Sequence, residues 1–152
     1  MDSTEIEIRT ARREDLPAIV EMLLLDSLLD PPARRGPTDE EMAAFDLIAG
    51  DPNSQIVVAT LHGEVIGTLQ LTFVPGISHK GTWRAQVEAV RVREDLRNRR
   101  IGTRLMEWVV DRARERGCWM IQLSSNRSRQ AAHRFYERLG FKASHVGMKL
   151  YL

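Results

Sequence analysis

The sequence has 152 residues, 43% hydrophobic and 28% charged, with a formal net charge of +1. That length fits one domain around a single core, and the balanced charge excludes a global field that draws nucleic acid or a membrane surface. No apolar run approaches the roughly 20 residues of a membrane span, and the acidic, polar start Met1-Asp2-Ser3-Thr4-Glu5 is no signal peptide. Cys118 is the only cysteine, which rules out an intrachain disulfide and suits a reducing cytoplasm.

In chain order, Ile6 and Ile8 alternate with charged residues, the period of a short first strand. Leu16, Ile19, Val20, Leu23 and Leu24 then recur at helical spacing, with Glu14 and Asp15 in the first turn. The run Asp30-Pro31-Pro32-Ala33-Arg34-Arg35-Gly36-Pro37 cannot continue a helix and marks a loop. Thr38 and Glu41 have capping-box spacing and open a second helix that runs to about Ala49. Residues 55–61 and 65–74 are β-rich runs joined by His62-Gly63-Glu64, a hairpin pattern. Residues 75–81 form a loop and residues 82–92 a long strand. A helix from about Arg100 to Arg116 is expected to bury Ile101, Leu105, Trp108 and Val109 and to end at Gly117. The bulky run 119–124 suggests a strand buried on both faces. Ser128 is placed to cap a helix through Leu139, closed by Gly140, and residues 141–152 are expected to add one or two final strands.

The expected order is therefore β-α-α-β-β-β-α-β-α-β(-β). A strand–helix–strand unit over residues 82–124 takes a right-handed crossover, so its two strands run parallel. The fold class is α/β, a mixed, mostly antiparallel sheet with one parallel β-α-β unit and helices on both faces, in a single domain over residues 1–152.

The centre of the chain carries the chemistry. Val87-Glu88-Ala89-Val90-Arg91-Val92 leads into Arg97-Asn98-Arg99-Arg100-Ile101-Gly102-Thr103, a strand feeding a basic turn and then a helix. A helix start leaves its first N–H groups unpaired and adds partial positive charge. Arg91, Arg93, Arg97, Arg99, Arg100 and Arg104 crowd the same window. Such a turn suits a phosphate-bearing cofactor; a solvated face or a nucleic-acid patch is the plainer alternative. His62, His79, His133 and His145 lack metal-ligand spacing, and Cys118 reads as a buried strand residue rather than a nucleophile.

These residues, in this element order, resemble the GCN5-related N-acetyltransferase (GNAT) superfamily from Ile6 to Leu150. The acyl-CoA signature of that superfamily is matched by Arg97-Asn98-Arg99-Arg100-Ile101-Gly102. A second motif is matched by Asn126, Ala131 and Phe135-Tyr136-Glu137-Arg138-Leu139-Gly140-Phe141. Arg100 departs from the usual glycine, and an arginine is expected there only with negative φ.

The resemblance implies acetyl-CoA as acyl-donor co-substrate, with no metal. It implies that the backbone of Val90 and Val92 pairs with the pantetheine arm. The N–H groups from Arg99 to Thr103 would hold the diphosphate. An N–H near Arg91 would polarise the thioester carbonyl. Tyr136 matches the general acid of the family, with a core tyrosine as the alternative reading. Glu88 faces the presumed acetyl group as a base, or is a strand glutamate paired with an arginine. Asn126 is a pantetheine ligand or a turn-former, and Arg129 either reaches a CoA phosphate or is solvated.

The acceptor pocket in this superfamily corresponds to residues 28–38 and 74–81, which carry Asp30, Arg34, Arg35, His79 and Lys80. Both charge signs are present; the short second loop favours a small-molecule amine, with no nucleic-acid or membrane partner. The run 144–152 is apolar enough for an edge strand and hence a homodimer. A non-catalytic acyl-CoA-binding regulatory module, a protein-lysine acetyltransferase and a nucleic-acid-binding domain are the competing readings.

Overall fold

The computed structural model describes residues 5–25 and 35–152. It divides into two compact units, Met1–Gln122 and Leu123–Leu152. In chain order the elements are β1 (Ile6–Thr10), α1 (Leu16–Leu25), α2 (Asp39–Gly50), β2 (Ser54–Leu61) and β3 (Glu64–Pro75). A helical turn α3 (Ser78–Gly81), β4 (Trp83–Val92), α4 (Ile101–Glu115), β5 (Cys118–Leu123) and α5 (Gln130–Arg138) complete the set. Most of the expected loop at residues 30–37, and of the acceptor segment 28–38, lies outside the described residues.

The five strands form one sheet in sequence order. β1 to β4 pair antiparallel, and β5 runs parallel to β4, as the α4 crossover requires. The β2–β3 hairpin turns on His62 and Gly63, at φ 50 and φ 79. Positive φ at both central residues is the primed turn that matches strand twist.

Each face of the sheet has its own helices. Ile56 of β2 packs with Leu16, Val20 and Phe45 of α1 and α2. On the opposite face a Cβ at Gly67 would stand 3.1 Å from Leu105 Cδ1 and 3.3 Å from Ile101 Cγ2. A bare glycine in β3 therefore lets α4 settle onto the sheet. Between these layers Val57, Leu69, Leu71, Val87, Leu105 and Val109 are buried.

Helix starts follow the sequence signals. Thr38 Oγ1 accepts from Glu41 N–H and Glu41 Oε1 accepts from Thr38 N–H, both at 3.1 Å, the reciprocal capping box. Arg35 pairs with Glu41 and holds its carboxyl below the usual range. Asp15 has a larger role than dipole compensation. It is buried, and it accepts from Arg9 Nη1 at 2.7 Å, Arg9 Nη2 at 3.1 Å and the Arg12 N–H at 2.7 Å. The carboxylate thus ties β1 to the start of α1.

Three expectations are corrected here. Met106, not Trp108, completes the buried stripe of α4; Trp108 is half-buried under the Arg112 guanidinium, 5.1 Å from its ring centroid. β5 is not buried on both faces: none of its residues is fully buried, and Trp119 is 45% exposed. β5 ends the strand order with β4 as its one neighbour, so an apolar run here marks a half-covered strand. Residues 141–152 form no strand. A strand needs a partner for its N–H and C=O groups, and their own unit holds none to pair with beyond the end of β5.

In the second unit, Ser128 does not cap α5. Asn126 Oδ1 accepts from Ser128 N–H at 2.9 Å and Ser128 Oγ at 2.8 Å, so a local Asx turn takes the capping group and Arg129 occupies the N-cap position. At the other end Gly140, φ 98, donates to Glu137 O, and Phe141 N–H to Tyr136 O, both at 3.0 Å. This is a Schellman closure. Its accompanying apolar contact is the edge-on Tyr136–Phe141 pair, with centroids 5.7 Å apart.

Replacing Asp15 with Asn is expected to destabilise the fold by about 2 kcal/mol at neutral pH, through loss of charge-assisted bonds. Arg9 lowers the Asp15 pKa, so its contribution is complete above the unfolded carboxylate value of about 3.9 and is lost as pH falls through the lower folded value. Urea unfolding of both proteins from pH 7 to pH 3 checks this: the gap should narrow only in the acid range.

Candidate active site

The site is built on an irregularity in β4. Gln70 stands opposite Glu88, but Thr68 stands opposite Arg91, so Leu69 faces both Ala89 and Val90. The extra residue makes a β-bulge, with Ala89 at φ 54, a conformation that costs a non-glycine residue about 1–2 kcal/mol. Bulges re-aim side chains and interrupt pairing. Glu88, immediately before this one, is exposed and shares the α1/α2 face with Gln70 and Ile56.

β4 also outruns its neighbour. Gln122 Nε2 donates to Gln86 Oε1 at 2.7 Å, joining β4 to β5. β4 then continues to Val92, whereas β5 ends at Leu123. On the other side Arg91 and Val92 still pair with Thr68 and Gly67. Among the described residues no strand lies along the remaining edge of Val90–Val92, which leaves room for an extended ligand to add as a strand. The Val90 carbonyl accepts from Arg91 Nη1 at 2.8 Å.

The basic window divides by role. Arg93 N–H donates to Ile66 O at 2.9 Å, and its guanidinium grips Glu64 and Asp95, each at 2.7 Å. Arg104 Nη2 donates to Ile6 O at 3.1 Å. These two hold the fold together. Arg97, Arg99 and Arg100 stay exposed on the turn.

Arg100 overturns the expected negative φ: it lies at φ 63, ψ 15, after Asn98 at φ 64. The chain must reverse within residues 97–100 to bring α4 onto the sheet, and left-handed residues make that reversal. Arg100 is the N-cap of α4 and gives no side-chain cap. The helical bonds begin at Arg104 N–H to Arg100 O, 3.0 Å. The N–H groups of Ile101, Gly102 and Thr103 thus open the helix with its positive dipole end. Together with the bare edge of Val90–Val92, this provides a place for the extended arm and the phosphates of a CoA ester.

The other residues singled out lie in the second unit. Tyr136 is half-buried on α5, 5.1 Å from the Phe135 ring centroid. Asn126 is exposed and its Oδ1 is engaged in the Asx turn, the turn-forming role, while its carbonyl meets His133 Nε2 at 2.8 Å. Arg129 is exposed at the start of α5. In the first unit, burial raises the Cys118 thiol pKa, which disfavours the nucleophilic thiolate. His79 stacks on Trp119 with centroids 3.8 Å apart. Among the described residues no group of three or more His, Cys, Asp or Glu is placed to hold a metal, and no helix is long and apolar enough to cross a membrane.

Sequence reasoning missed the bulge and the Gln86–Gln122 bond. An alanine at positive φ leaves no trace in composition. The polar side chains were a legible signal, because Arg84, Gln86 and Glu88 alternate with buried Ala85 and Val87.

Comparison with known proteins agrees with this geometry. The Acetyltransferase (GNAT) family profile matches residues 22–141. The aminoalkylphosphonate N-acetyltransferase of Salmonella typhimurium is 33% identical over 141 residues, covering 91% of this chain and 86% of that protein. The glucosamine 6-phosphate N-acetyltransferase of Trypanosoma brucei brucei is 26% identical over 149 residues, covering 98% and 97%. A crystal structure described as a transcriptional regulator from Bacillus halodurans C-125 superposes with a TM-score of 0.90 at 41% identity, covering 97% of this chain and 99% of the other. The sheet order, the open edge beside the uncapped helix start and these matches place the chain in the GNAT acetyltransferase family, and so among the acetyl-CoA-dependent acyltransferases.

Proposed function

We propose that the protein transfers the acetyl group of acetyl-CoA directly to the primary amine of a small molecule. The observation that carries this is the edge of Val90–Val92, along which no described strand lies, running toward the open N-terminus of α4. Val90 and Val92 hold the pantetheine arm through their backbone. Arg97, Asn98, Arg99 and Arg100 shape the turn, and the N–H groups of Arg99, Arg100, Ile101, Gly102 and Thr103 take the diphosphate. The two named enzymes among the relatives act on small amines that also carry a phosphonate or phosphate, which supports a small-molecule acceptor.

Glu88 takes the proton from the acceptor ammonium, a step that costs about 4 kcal/mol for an amine of pKa about 10.4 at neutral pH. The freed nitrogen attacks the thioester carbon, and an N–H near Arg91 stabilises the oxyanion. The C–S bond breaks, Tyr136 gives a proton to the sulfur, and the second amine proton passes to the phenolate so formed. Asn126 and Arg129 contribute at the periphery of the CoA site. The family match across residues 22–141 supports treating residues 1–152 as one catalytic domain. A cytoplasmic location fits the free thiol of Cys118.

The second reading, a non-catalytic acyl-CoA-binding regulatory module, is favoured by the description of the Bacillus halodurans protein as a transcriptional regulator. Calorimetric titration with acetyl-CoA followed by a thiol-release screen of amines separates the two. Binding with turnover supports the enzyme; binding without turnover of any amine or lysine peptide supports the module; absence of binding sinks both.

Under conditions where chemistry limits, Tyr136→Phe is expected to lower kcat by up to roughly 100-fold while leaving turnover measurable, because a thiolate is already a fair leaving group. Glu88→Gln should depress kcat/KM and flatten the acid limb of its pH profile. An unchanged kcat or an unchanged profile removes the respective residue from the mechanism. Arg100→Gly should raise stability by about 1 kcal/mol by relieving the left-handed arginine. Thermal unfolding with and without acetyl-CoA then reads what the guanidinium adds to binding. We also infer a homodimer through the tail, where Val146, Met148, Leu150 and Tyr151 are 66–89% exposed; a monomer mass in light scattering at micromolar concentration contradicts it.

A further inference from the structure

We infer that the Gln86–Gln122 amide pair selects the acceptor by reading a neutral group, a hydroxyl or a carboxamide, that lies a few bonds from the reacting amine. The inference rests on the acetyl-transfer reading above and names the class of its acceptor.

The two amides meet across strands. Gln122 Nε2 of β5 donates to Gln86 Oε1 of β4 at 2.7 Å. Both residues are half-buried, and among the described residues neither side chain makes another hydrogen bond. Each primary amide carries two N–H donors and one carbonyl, so this single bond leaves Gln86 Nε2 free to donate and Gln122 Oε1 free to accept. Both atoms are reachable by solvent. With both amides turned over the roles exchange, and one donor still stands beside one acceptor. A hydroxyl or a carboxamide both donates and accepts, so either completes the pair. A carboxylate only accepts and an ammonium only donates, so each uses half of it.

The pair lies within reach of Glu88. Gln86 and Glu88 alternate with buried Ala85 and Val87, so they share one face of β4. About 7 Å of strand separates their Cα atoms. An amine and a hydroxyl two or three carbons apart, with a hydrogen bond of about 2.8 Å at each end, span that distance. The strand neighbours are neutral: Gln70 stands opposite Glu88, and Thr72 opposite Gln86. Arg84 is turned the other way. A Cβ on Gly76 would lie 2.9 Å from its Nη1, and Gly76 follows Pro75, the partner of Trp83, on the side away from Glu88. An anionic substituent beside the amine would thus meet the Glu88 carboxylate with no cation from these neighbours. A neutral substituent meets the amide pair.

The test uses the full-length protein, acetyl-CoA and amines matched in shape: ethanolamine against propylamine, and glycinamide against isobutylamine. In the wild type kcat/KM should favour the polar member of at least one pair by roughly 10-fold. Gln86→Met and Gln122→Met leave amine basicity untouched and should cut that ratio by roughly 3- to 10-fold, mostly through KM. The pair that responds tells hydroxyl from carboxamide. No preference in the wild type, a ratio unchanged in both variants, or equal loss for both members makes the amides a tie between strands and overturns the inference. A preference for 2-aminoethylphosphonate that neither substitution moves overturns it too. Thermal unfolding reports whether each variant is folded; where one is not, Gln122→Asn, an amide one methylene shorter, is read in its place. Should no amine turn over, ethanolamine and glycinamide are titrated into the protein with CoA present, and the side-chain amide NMR signals that Gln86→Met and Gln122→Met remove are followed. Signals moved by either polar amine but not by its apolar match uphold the recognition while the transfer reading fails; signals that stay still overturn it.

Discussion

One extra residue in β4 organises this protein. Between Glu88 and Arg91 the strand accommodates Ala89 and Val90 opposite Leu69 alone, with Ala89 forced to φ 54. The bulge leaves Glu88 exposed on the α1/α2 face. β4 continues from there to Val92 while β5 stops at Leu123. A regular β4 flanked along its whole length would spend the N–H and C=O groups of Val90–Val92 on its neighbours. The strain at Ala89 is the kind of local cost that persists where the surrounding structure over-determines it. Here Phe73–Ala85, Leu71–Val87 and Gly67–Val92 pairing holds β4 on both sides of the irregularity.

The turn after β4 depends on the same arrangement. Arg93 is locked by Ile66 O, Glu64 and Asp95, which fixes where the chain leaves the sheet. Gly67 lets Ile101 and Leu105 approach the backbone of β3, which fixes where α4 must begin. Between those two points the chain needs left-handed residues, and Asn98 and Arg100 supply them. Packing outweighs the conformational preference of arginine. Charge clustering in sequence thus misled in one respect: Arg93 and Arg104 are structural, and Arg97, Arg99 and Arg100 form the exposed remainder of the turn.

The second unit shows how a family motif encodes local geometry. Phe135-Tyr136-Glu137-Arg138-Leu139-Gly140-Phe141 is a helix end in which Gly140 takes the left-handed position and Phe141 folds back onto Tyr136. The glycine and the second phenylalanine therefore orient the tyrosine ring. Asn126 likewise spends its Oδ1 on Ser128, shaping the approach to α5.

By itself the sequence determined the element order, the capping box at Thr38, the hairpin at His62-Gly63, the α4 crossover and the basic turn. Each is written in local periodicity or in residues with one conformational preference. It did not determine the bulge, the left-handed Arg100, the half-covered β5 or the missing strand after Phe141. These depend on which backbone groups find partners across the sheet, and partners far apart in the chain leave no periodic signal.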